Sequence, residues 1–593
     1  MIRTPLRPLA RILNARQLGQ NPDAIEAENK RIRNEAVRDT DKIRAESRLI
    51  VLSGFFLCAF AAILVKMAGI ATTAPEEPQV SRGSDPILSM RADITDRQGR
   101  VLATNFDTYS VYAHPRDMID PVNAADRLAE IFPELDHERL IKDFTGDRAF
   151  VWVRRQISPE QMQAVHDIGE PGLLFGPREM RLYPNGPVAS HILGGASYGR
   201  EGVASAEIVG VAGVERVFDE FLRDPSNEGA PLQLSIDLSV QAAAERVLAG
   251  GMTLMNAKGA AAILMDVHTG EILSLVSLPD FDPNDRPTVL TTGDQSDSPL
   301  FNRAVQGVYE LGSTFKILAV AQALDLGLVN PETMIETAPA IRTGGHTIND
   351  FHHYGRENTV TDVIVKSSNI GTARIAEMIG PERQQDYMQS LGFLEMSPVE
   401  LIEASAGRPQ YPRDWTMLNT MTISYGHGIA ASPLHLAAAY ATIGNGGRLV
   451  TPTLIHDPNN QPGERVMTEA AAEASIDMLR QVVTRGTASF GEVAGYEVAG
   501  KTGTADKVRP QGGYYDDKVI ATFASVFPAS NPQYALIVTL DEPEDTSGSE
   551  PRRTAGWTAV PVAAEMIRRV APLLGLRPIV ETPQLTGVSL EAN

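Results

Sequence analysis

The chain has 593 residues, 43% of them hydrophobic and 21% charged, so it can bury a large core and form several domains. Its net charge of −21 at pH 7 argues against a nucleic acid as a partner. The single cysteine, Cys58, excludes a disulfide within the chain and any metal site built on cysteines.

The first 48 residues differ in composition from the remainder. They hold 11 lysine and arginine residues against 7 aspartate and glutamate residues, whereas the remaining residues hold 42 against 67, a net charge of −25. No apolar periodicity in this segment is strong enough for a packed domain. We therefore predict that residues 1–48 form a mostly disordered tail.

An uncharged segment of 17 residues, LIVLSGFFLCAFAAILV, begins at Leu49. With the apolar residues after Lys66 it reaches about the 20 residues needed to cross a bilayer. A cleaved signal peptide is the alternative, but such peptides lie at the very start of a chain. Basic residues are dense before the segment and sparse just after it, which places the tail in the cytoplasm. We predict a transmembrane helix over residues 49–70, a linker over 71–84 and an exported remainder.

Residues 85–228 are predicted to form the first exported domain. The stretch RADITDRQGRVLATN indicates a hairpin with its turn at Asp96 to Gly99. From there to residue 228, strand-like and helix-like segments alternate, and no group of residues suited to catalysis occurs among them. We expect this domain to support the one that follows.

Residues 229–575 are predicted to form a second domain that contains a sheet. PLQLSIDLSVQAAAERVL predicts a strand followed by a helix, and AAAILMDVHTGEILSLVSLPD predicts a hairpin that turns at His268 to Gly270. KVIATFASVFPAS and QYALIVTLDEP predict two further strands of the same sheet. Helical patterns fill the interval, so the predicted class is α+β, with residues 576–593 as a C-terminal tail.

A hydroxyl and an ammonium group lie three residues apart in LGSTFKILAV, as Ser313 and Lys316. In a helix both lie on the same face. The segment is otherwise apolar, which predicts a core helix that ends at Gly327. A buried lysine either finds a partner or loses its proton through a lowered pKa, so the pair is a candidate nucleophile and base. A capping serine beside a snorkelling lysine is the structural alternative.

Two further motifs follow downstream. KSSNIG contains Ser367 and Asn369 as S-x-N, and AGKTGTADK contains Lys501, Thr502 and Gly503 as K-T-G. Each motif occurs once, as does the S-x-x-K motif formed by Ser313 and Lys316. The three motifs in this order are a specific combination. With them, the chain resembles the class B penicillin-binding proteins, which are serine D,D-transpeptidases that cross-link bacterial peptidoglycan.

The resemblance covers residues 85–575 and is closest to the division-specific type. It rests on RADITDRQGRVLA, RLYPNGPVASHILGG, GVAGVERVFDEFL, GHTINDFHHYG, VIVKSSNIGTARIA and KTGTADKVRPQGGYYDDKVIATFASVFPASNPQYALIV. The sequence departs from the family at Leu311, where proline is usual, and in SYGHG (Ser424 to Gly428), which differs slightly from the usual aromatic-glycine pattern. Neither departure removes a catalytic group.

The resemblance implies a role for each catalytic residue. Ser313 is the nucleophile that attacks the penultimate D-alanine of a stem peptide, and neutral Lys316 is its base. Ser367 passes the proton to the leaving amine, and Asn369 holds the substrate amide and the lysine in register. Lys501 keeps Lys316 neutral by charge repulsion.

The resemblance assigns substrate binding to the K-T-G segment. The oxyanion is placed between the backbone N–H groups of Ser313 and Thr504. Lys501, Thr502 and Thr504 are expected to meet the terminal carboxylate of the substrate. The bare Cα of Gly503 is expected to let the peptide lie along the edge of a strand.

The resemblance also implies partners and a location. The partners are peptidoglycan stem peptides, lipid-linked nascent glycan, the membrane glycosyltransferase FtsW and other divisome proteins. The location is the bacterial inner membrane, with the catalytic domain in the periplasm. No cofactor is expected, and no metal either, because His352 and His353 lack a third partner at ligand spacing.

Three other functions remain open at this point. An elongation-specific class B transpeptidase is the nearest of them. An anchored serine β-lactamase needs a glutamate to activate water, and no E-x-x-L-N follows Ser367. A penicillin sensor or assembly protein retains the pocket without turnover, but the intact motifs argue against decay and a 48-residue tail hardly provides a signalling domain.

Overall fold

The computed structural model describes residues 13–72, 91–201, 206–509 and 512–579. Most of the predicted linker of residues 71–84 and of the predicted C-terminal tail of residues 576–593 therefore lies outside the described residues. The same holds for residues 1–12 of the predicted N-terminal tail. The chain divides into two compact units, of which one contains Met1–Glu77, Ala113–Trp152 and Ile168–Leu174 and the other contains the remainder.

One helix of 51 residues, α1 (Pro22–Thr72), covers most of the predicted tail and the predicted anchor. The expectation of a mostly disordered tail is therefore wrong for residues 22–48. The sequence has no proline or glycine between Pro22 and Gly54, and alanine, glutamate and arginine recur before the apolar segment, so nothing interrupts the helix. Within α1, Arg48–Ala68 is long and apolar enough to cross a membrane, by length and composition.

Residues 91–233 contain a five-stranded sheet and several short helices. The strands are β1 (Ile94–Thr95), β2 (Val101–Ala113), β3 (Val151–Ile157), β4 (Leu173–Leu182), β5 (Gly195–Glu201), β6 (Ala206–Ala212) and β7 (Leu232–Gln233). The helices are α2 (Pro121–Ile131), α3 (His137–Phe144), α4 (Pro159–His166), α5 (Ser190–Leu193), α6 (Gly213–Val217) and α7 (Asp219–Arg223). The sheet order is β3-β2-β1-β7, β4 also pairs with β2, and β5 and β6 pair separately.

The predicted hairpin at the start of this domain is confirmed. β1 and β2 pair antiparallel, and Gly99 completes the turn between them with a φ of +79°. β7 pairs with β1 in parallel. The strand that follows residue 228 therefore joins the sheet of the preceding domain.

Buried ion pairs join the start of this sheet to α6 and α7. The guanidinium of Arg91 lies 2.7 Å from a carboxylate oxygen of Glu215 and 2.7 Å from one of Asp219. Arg181 of β4 bonds the other oxygen of Glu215, also at 2.7 Å. Removing one partner of such a group leaves a buried charge without compensation, so these pairs fix the two helices on the sheet.

The remaining elements lie in residues 238–570, within the predicted second domain. Its strands are β8 (Gly259–Asp266), β9 (Ile272–Leu278), β10 (Met334–Glu336), β11 (Ile341–Thr343), β12 (His346–Ile348), β13 (Glu357–Thr359), β14 (Ala499–Val508), β15 (Tyr514–Phe527) and β16 (Tyr534–Asp541). Its helices are α8 (Leu238–Leu254), α9 (Lys316–Asp325), α10 (Val360–Lys366), α11 (Asn369–Ile379), α12 (Pro381–Ser390), α13 (Met417–Ile423), α14 (Pro433–Gly444), α15 (Glu469–Arg485) and α16 (Ala559–Val570).

An antiparallel sheet in the order β14-β15-β16-β8-β9 forms the framework of this domain. The hairpin predicted at His268 to Gly270 joins β8 and β9, and Gly270 donates a hydrogen bond from its N–H to the carbonyl of Asp266 (3.0 Å). The two strands predicted downstream are β15 and β16. The predicted α+β class is therefore confirmed.

Two buried helices form the centre of the core. α14 is buried along its whole length and packs on β8, β15 and β16. α9 packs against α11 and α15, and its residues from Lys316 to Ala323 are all buried. α8 and α16 pack on the sheet as well. Gly327 follows the end of α9 with a φ of +66°, as the sequence predicted.

Candidate active site

The core positions the segment that carries Ser313. Residues Gly312–Phe315 form a 3₁₀ helix that continues into α9 at Lys316. Tyr440 of α14 donates a hydrogen bond from its hydroxyl to the carbonyl of Thr314 (2.9 Å). Residues three apart are eclipsed in a 3₁₀ helix, so Ser313 and Lys316 still share one face. Ser313 is partly exposed, whereas Lys316 is completely buried.

Lys316 contacts the second motif. Its Nζ donates to the backbone carbonyl of Ser367 (2.5 Å) and to the hydroxyl Oγ of the same residue (3.1 Å). The Nζ of Lys501 donates to this Oγ at 2.9 Å. The hydroxyl of Ser367 therefore lies between two lysines. In the part of the chain that the structure describes, the hydroxyl of Ser313 makes no hydrogen bond, so the two residues of S-x-x-K are near but not bonded.

Burial determines the protonation of the two lysines. It lowers the pKa of Lys316 well below the ordinary value, and the charge of Lys501 lowers it further, while Asp350 opposes the shift. Burial lowers the pKa of Lys501 to about 7. Both amines therefore lose their protons more readily than an exposed lysine, and at Lys316 the charge of its neighbour adds to the effect of burial. When it is unprotonated, this amine has a lone pair that can accept a proton.

The S-x-N motif forms the junction of two helices. Ser367 ends α10 in the left-handed conformation, with φ 62° and ψ 44°, which is uncommon for a residue other than glycine. Ser368 caps α11, since its hydroxyl accepts a hydrogen bond from the N–H of Gly371 (2.9 Å). The strained residue is therefore held between a helix end and a helix start.

Asp350 fixes this junction, and sequence reasoning did not identify it. One carboxylate oxygen accepts a hydrogen bond from the hydroxyl of Ser368 (2.6 Å). The other accepts hydrogen bonds from two backbone N–H groups at the start of α11 (2.5 and 3.0 Å). A carboxylate at a helix N-terminus is favourable, so Asp350 positions the motif that holds Ser367. No spacing rule links this loop carboxylate to a serine 18 residues later.

A cavity of about 740 Å³ brings the motifs together. The predicted site residues that line it are Ser313, Ser367, Asn369, Thr502 and Thr504. Lys316 and Lys501 are fully buried and do not line it. The side-chain N–H of Asn369 donates a hydrogen bond to the carbonyl of Asn349 (3.0 Å).

The K-T-G motif lies within β14, an edge strand of the sheet. The hydroxyl of Thr502 shares a hydrogen bond with that of Thr487 (2.8 Å). The hydroxyl of Thr504 accepts the N–H of Ala555 (3.0 Å). Because the amine of Lys501 faces Ser367, the two threonines are the groups of this motif that reach the cavity surface.

Gly503 is also required by a packing contact that the sequence did not predict. A Cβ atom at this position would lie 2.2 Å from the carbonyl oxygen of Leu311 and 2.8 Å from the methyl group of Thr314. The bare Cα therefore faces the segment that carries the nucleophile, where it lets β14 pack on the 3₁₀ helix. Gly426 meets the same segment from another side, since its Cβ would lie 2.1 Å from the carbonyl oxygen of Gly312.

We expect Gly503→Ala to slow acylation of Ser313 by about tenfold or more and to lower the free energy of unfolding by about 1–3 kcal/mol, as overpacking does. The added methyl group must push β14 away from the nucleophile segment. Rates of labelling by a fluorescent penicillin and thermal unfolding measure the two effects. Gly250→Ala is the matched control, because no atom lies within 4 Å of a Cβ built there. Equal behaviour of the two variants would contradict the packing argument.

Comparison with known families gives two matches along the chain. The penicillin binding protein transpeptidase domain matches residues 260–565, and the penicillin-binding protein dimerisation domain matches residues 86–228. The first match contains all three motifs and covers just over half of the chain.

Individual proteins are similar over nearly the whole chain. The "Probable peptidoglycan D,D-transpeptidase FtsI" of Caulobacter vibrioides is 35% identical over 554 residues, which is 91% of this chain and 90% of the relative. The "Peptidoglycan D,D-transpeptidase FtsI" of Escherichia coli is 30% identical over 527 residues, 84% of this chain and 87% of the relative. The crystal structure of penicillin binding protein 3 from Mycobacterium tuberculosis in complex with aztreonam has a TM-score of 0.62 at 25% identity, covering 83% of this chain and 98% of that one.

Proposed function

Because the chain belongs to the class B penicillin-binding proteins and is a serine-type peptidoglycan D,D-transpeptidase, we propose that it cross-links stem peptides of the septal wall during cell division. The septal role is supported by the FtsI name of the relatives from C. vibrioides and E. coli. The observation that carries the catalytic assignment is the hydroxyl of Ser367, which two buried lysines bond beside the cavity of Ser313.

In the proposed acylation, the lone pair of Lys316 takes the proton of the Ser313 hydroxyl as its oxygen attacks the carbonyl of the penultimate D-alanine. The tetrahedral oxyanion is held by the backbone N–H groups of Ser313 and Thr504. The proton then moves from Lys316 through the hydroxyl of Ser367 to the leaving amine, and D-alanine departs. This route is supported by the hydrogen bonds from both lysines to Ser367.

The donor peptide is proposed to add to the free edge of β14 as a further strand. Thr502 and Thr504 would then bond its terminal carboxylate, and Asn369 would bond a backbone amide. The positions of these three side chains on the cavity surface support the assignment. Lys501 contributes by its position behind Ser367, where its charge lowers the pKa of Lys316.

Charge and hydropathy support the proposed location. We place residues 1–48 in the cytoplasm, the anchor of residues 49–70 in the inner membrane, and the support domain of residues 85–228 and the transpeptidase domain of residues 229–575 in the periplasm. The apolar part of α1 and the basic residues before it support this topology. A phosphatase reporter fused after residue 80 is expected to be active, and an inactive reporter would contradict the orientation.

The proposed partners are lipid-linked nascent glycan, the membrane glycosyltransferase FtsW and other divisome proteins, because a septal transpeptidase must act where new glycan strands are made. Depletion of the protein tests the septal role directly. We expect cells that grow as filaments without septa. Round cells would instead identify the elongation-specific function.

A further inference from the structure

A buried carboxylate holds a histidine in the wall of the active-site cavity. The carboxylate of Glu310 accepts hydrogen bonds from the Nδ1–H of His427 (3.1 Å), the backbone N–H of Gly428 (2.8 Å) and the hydroxyl of Tyr514 (3.1 Å). Glu310 is buried, with 9% of its surface exposed, and the three hydrogen bonds hold its carboxylate in place. His427 belongs to SYGHG, the segment in which the sequence departs from the family pattern.

This histidine lies on the same wall as the nucleophile. Gly426 packs directly on Gly312, and these two residues precede His427 and Ser313 respectively. His427 and Ser313 both line the cavity, and 46% of the histidine side chain is exposed. The ring of His427 is therefore accessible from the cavity that Ser313 also lines.

The second ring nitrogen of His427 is available for chemistry. Its Nδ1 is engaged by Glu310, with the hydroxyl of Tyr514 3.4 Å away, whereas its Nε2 makes no hydrogen bond with any residue that the structure describes. The ring lies near those of Tyr425 and Tyr514. The charged groups that face it are Glu310 and Asp506, both acidic. With the imidazole neutral, this wall attracts a cation.

We propose that His427 is the base that deprotonates the acceptor amine in the second half of the reaction, with Glu310 as its positioning residue. This inference rests on the transpeptidase function and names a further catalytic residue for it. The acceptor is a primary amine of a second stem peptide, which carries a proton in water at neutral pH. A protonated amine has no lone pair and cannot attack the ester.

The proton balance of the step is complete. The Nε2 of His427 takes one proton from the ammonium group, and the free amine attacks the acyl carbon on Ser313. The new C–N bond forms, the ester C–O bond breaks, and the second proton of the nitrogen passes through Lys316 to the oxygen of Ser313. His427 then releases its proton to water, so the free enzyme and an amide result.

The electrostatics suit this role. The hydrogen bond that His427 donates to Glu310 raises the pKa of His427 above its ordinary value of 6.5, and the charges of Glu310 and Asp506 act in the same direction, while burial opposes them. A stronger base is a better proton acceptor from an ammonium group. Its neutral form is present above this pKa and is lost as the pH falls through it.

The test measures amide formation by the full chain in detergent micelles, with an N-acetyl-D-alanyl-D-lactate donor and D-alaninamide as the acceptor. The variants are His427→Phe, which keeps an aromatic ring, and Glu310→Gln, with Tyr514→Phe as a milder change at the same carboxylate. Acylation by benzylpenicillin is measured in parallel, because it needs no acceptor. His352→Phe is the control, since His352 lines the same cavity and has no carboxylate partner among the described residues.

For the wild type we expect amide formation to rise with pH and level off above the pKa of His427. In His427→Phe the rate of amide formation should fall by about tenfold or more relative to the rate of acylation. The remaining rate should keep rising with pH and should not level off. In Glu310→Gln the inflection should move to lower pH, because the carboxylate that raises the pKa is gone. His352→Phe should show none of these changes.

Three results would overturn the inference. Equal loss of amide formation and acylation would show a structural role, and unchanged amide formation would show none. If His427→Phe lowers the rate of product formation with D-alanine as the acceptor but not with D-alaninamide, then His427 binds the carboxylate of the acceptor. Failure of the wild type to form either product would instead count against the proposed function itself.

Discussion

Ser313→Ala is expected to abolish covalent labelling by benzylpenicillin while the protein stays folded. The variant lacks one oxygen atom, and that oxygen is the nucleophile of the proposed acylation. The hydroxyl of Ser313 makes no hydrogen bond among the described residues, so its loss should leave the free energy of unfolding nearly unchanged. Gel labelling with a fluorescent penicillin and thermal unfolding measure the two properties.

Ser489→Ala is the matched control for this variant. Ser489 is another serine that lines the cavity, and it belongs to none of the three motifs. It is expected to label at nearly the wild-type rate. An adduct of normal yield on the Ser313→Ala protein would show that the nucleophile is a different residue.

Lys316→Met is expected to slow acylation by about 10²- to 10⁴-fold, the usual contribution of a general base. Methionine fills nearly the same volume and removes only the amine. Because Lys316 is completely buried, its replacement by an apolar side chain should leave thermal stability equal or higher. Stopped-flow or quenched labelling with benzylpenicillin measures the rate.

The pH dependence separates a base from a structural lysine. Lys316 accepts a proton only when it is neutral, so the wild-type acylation rate should fall as the pH drops through its lowered pKa and should level off well below pH 10.5. Lys316→Met should lose this inflection. Lys366→Met is the control, because Lys366 lines the cavity but bonds Asn358. A wild-type-like pH profile in Lys316→Met would contradict the assigned role.

Periodicity and turn residues were sufficient to predict much of the framework. The glycines at 99 and 270 marked two hairpins correctly, and the uninterrupted apolar residues after Lys316 predicted a core helix with a buried amine. These features are local, since each depends on the conformation or burial of neighbouring residues.

The internal geometry of the site could not be predicted in the same way. The spacing of S-x-x-K indicated that Ser313 and Lys316 share one face, but it could not show that the amine bonds Ser367, which is 51 residues away in sequence. The sequence suggested a substrate-binding reason for Gly503, and the close contact of its Cα with Leu311 is a second reason that only the structure shows. Both outcomes depend on how distant segments pack together, which no local pattern encodes.

Residues outside the motifs were missed for a related reason. Asp350 and Glu310 each act by accepting hydrogen bonds from a segment far along the chain, and a single carboxylate in a loop has no sequence signature. The departure at SYGHG was noticed as a difference from the family. The hydrogen bond between His427 and Glu310 is what connects this difference to the proposed chemistry, and only the structure shows that bond.

The central claim is that Ser313 forms a stable acyl-enzyme, and the intact mass of the full chain after incubation with benzylpenicillin tests it most directly. The opened ring stays attached to the ester and blocks the approach of an acceptor, so the adduct should be long-lived. We predict a gain of one intact antibiotic per chain, located on the peptide that contains Ser313 and retained for many minutes. Rapid turnover of the penicillin, with the unmodified mass restored, would contradict the account and identify a β-lactamase.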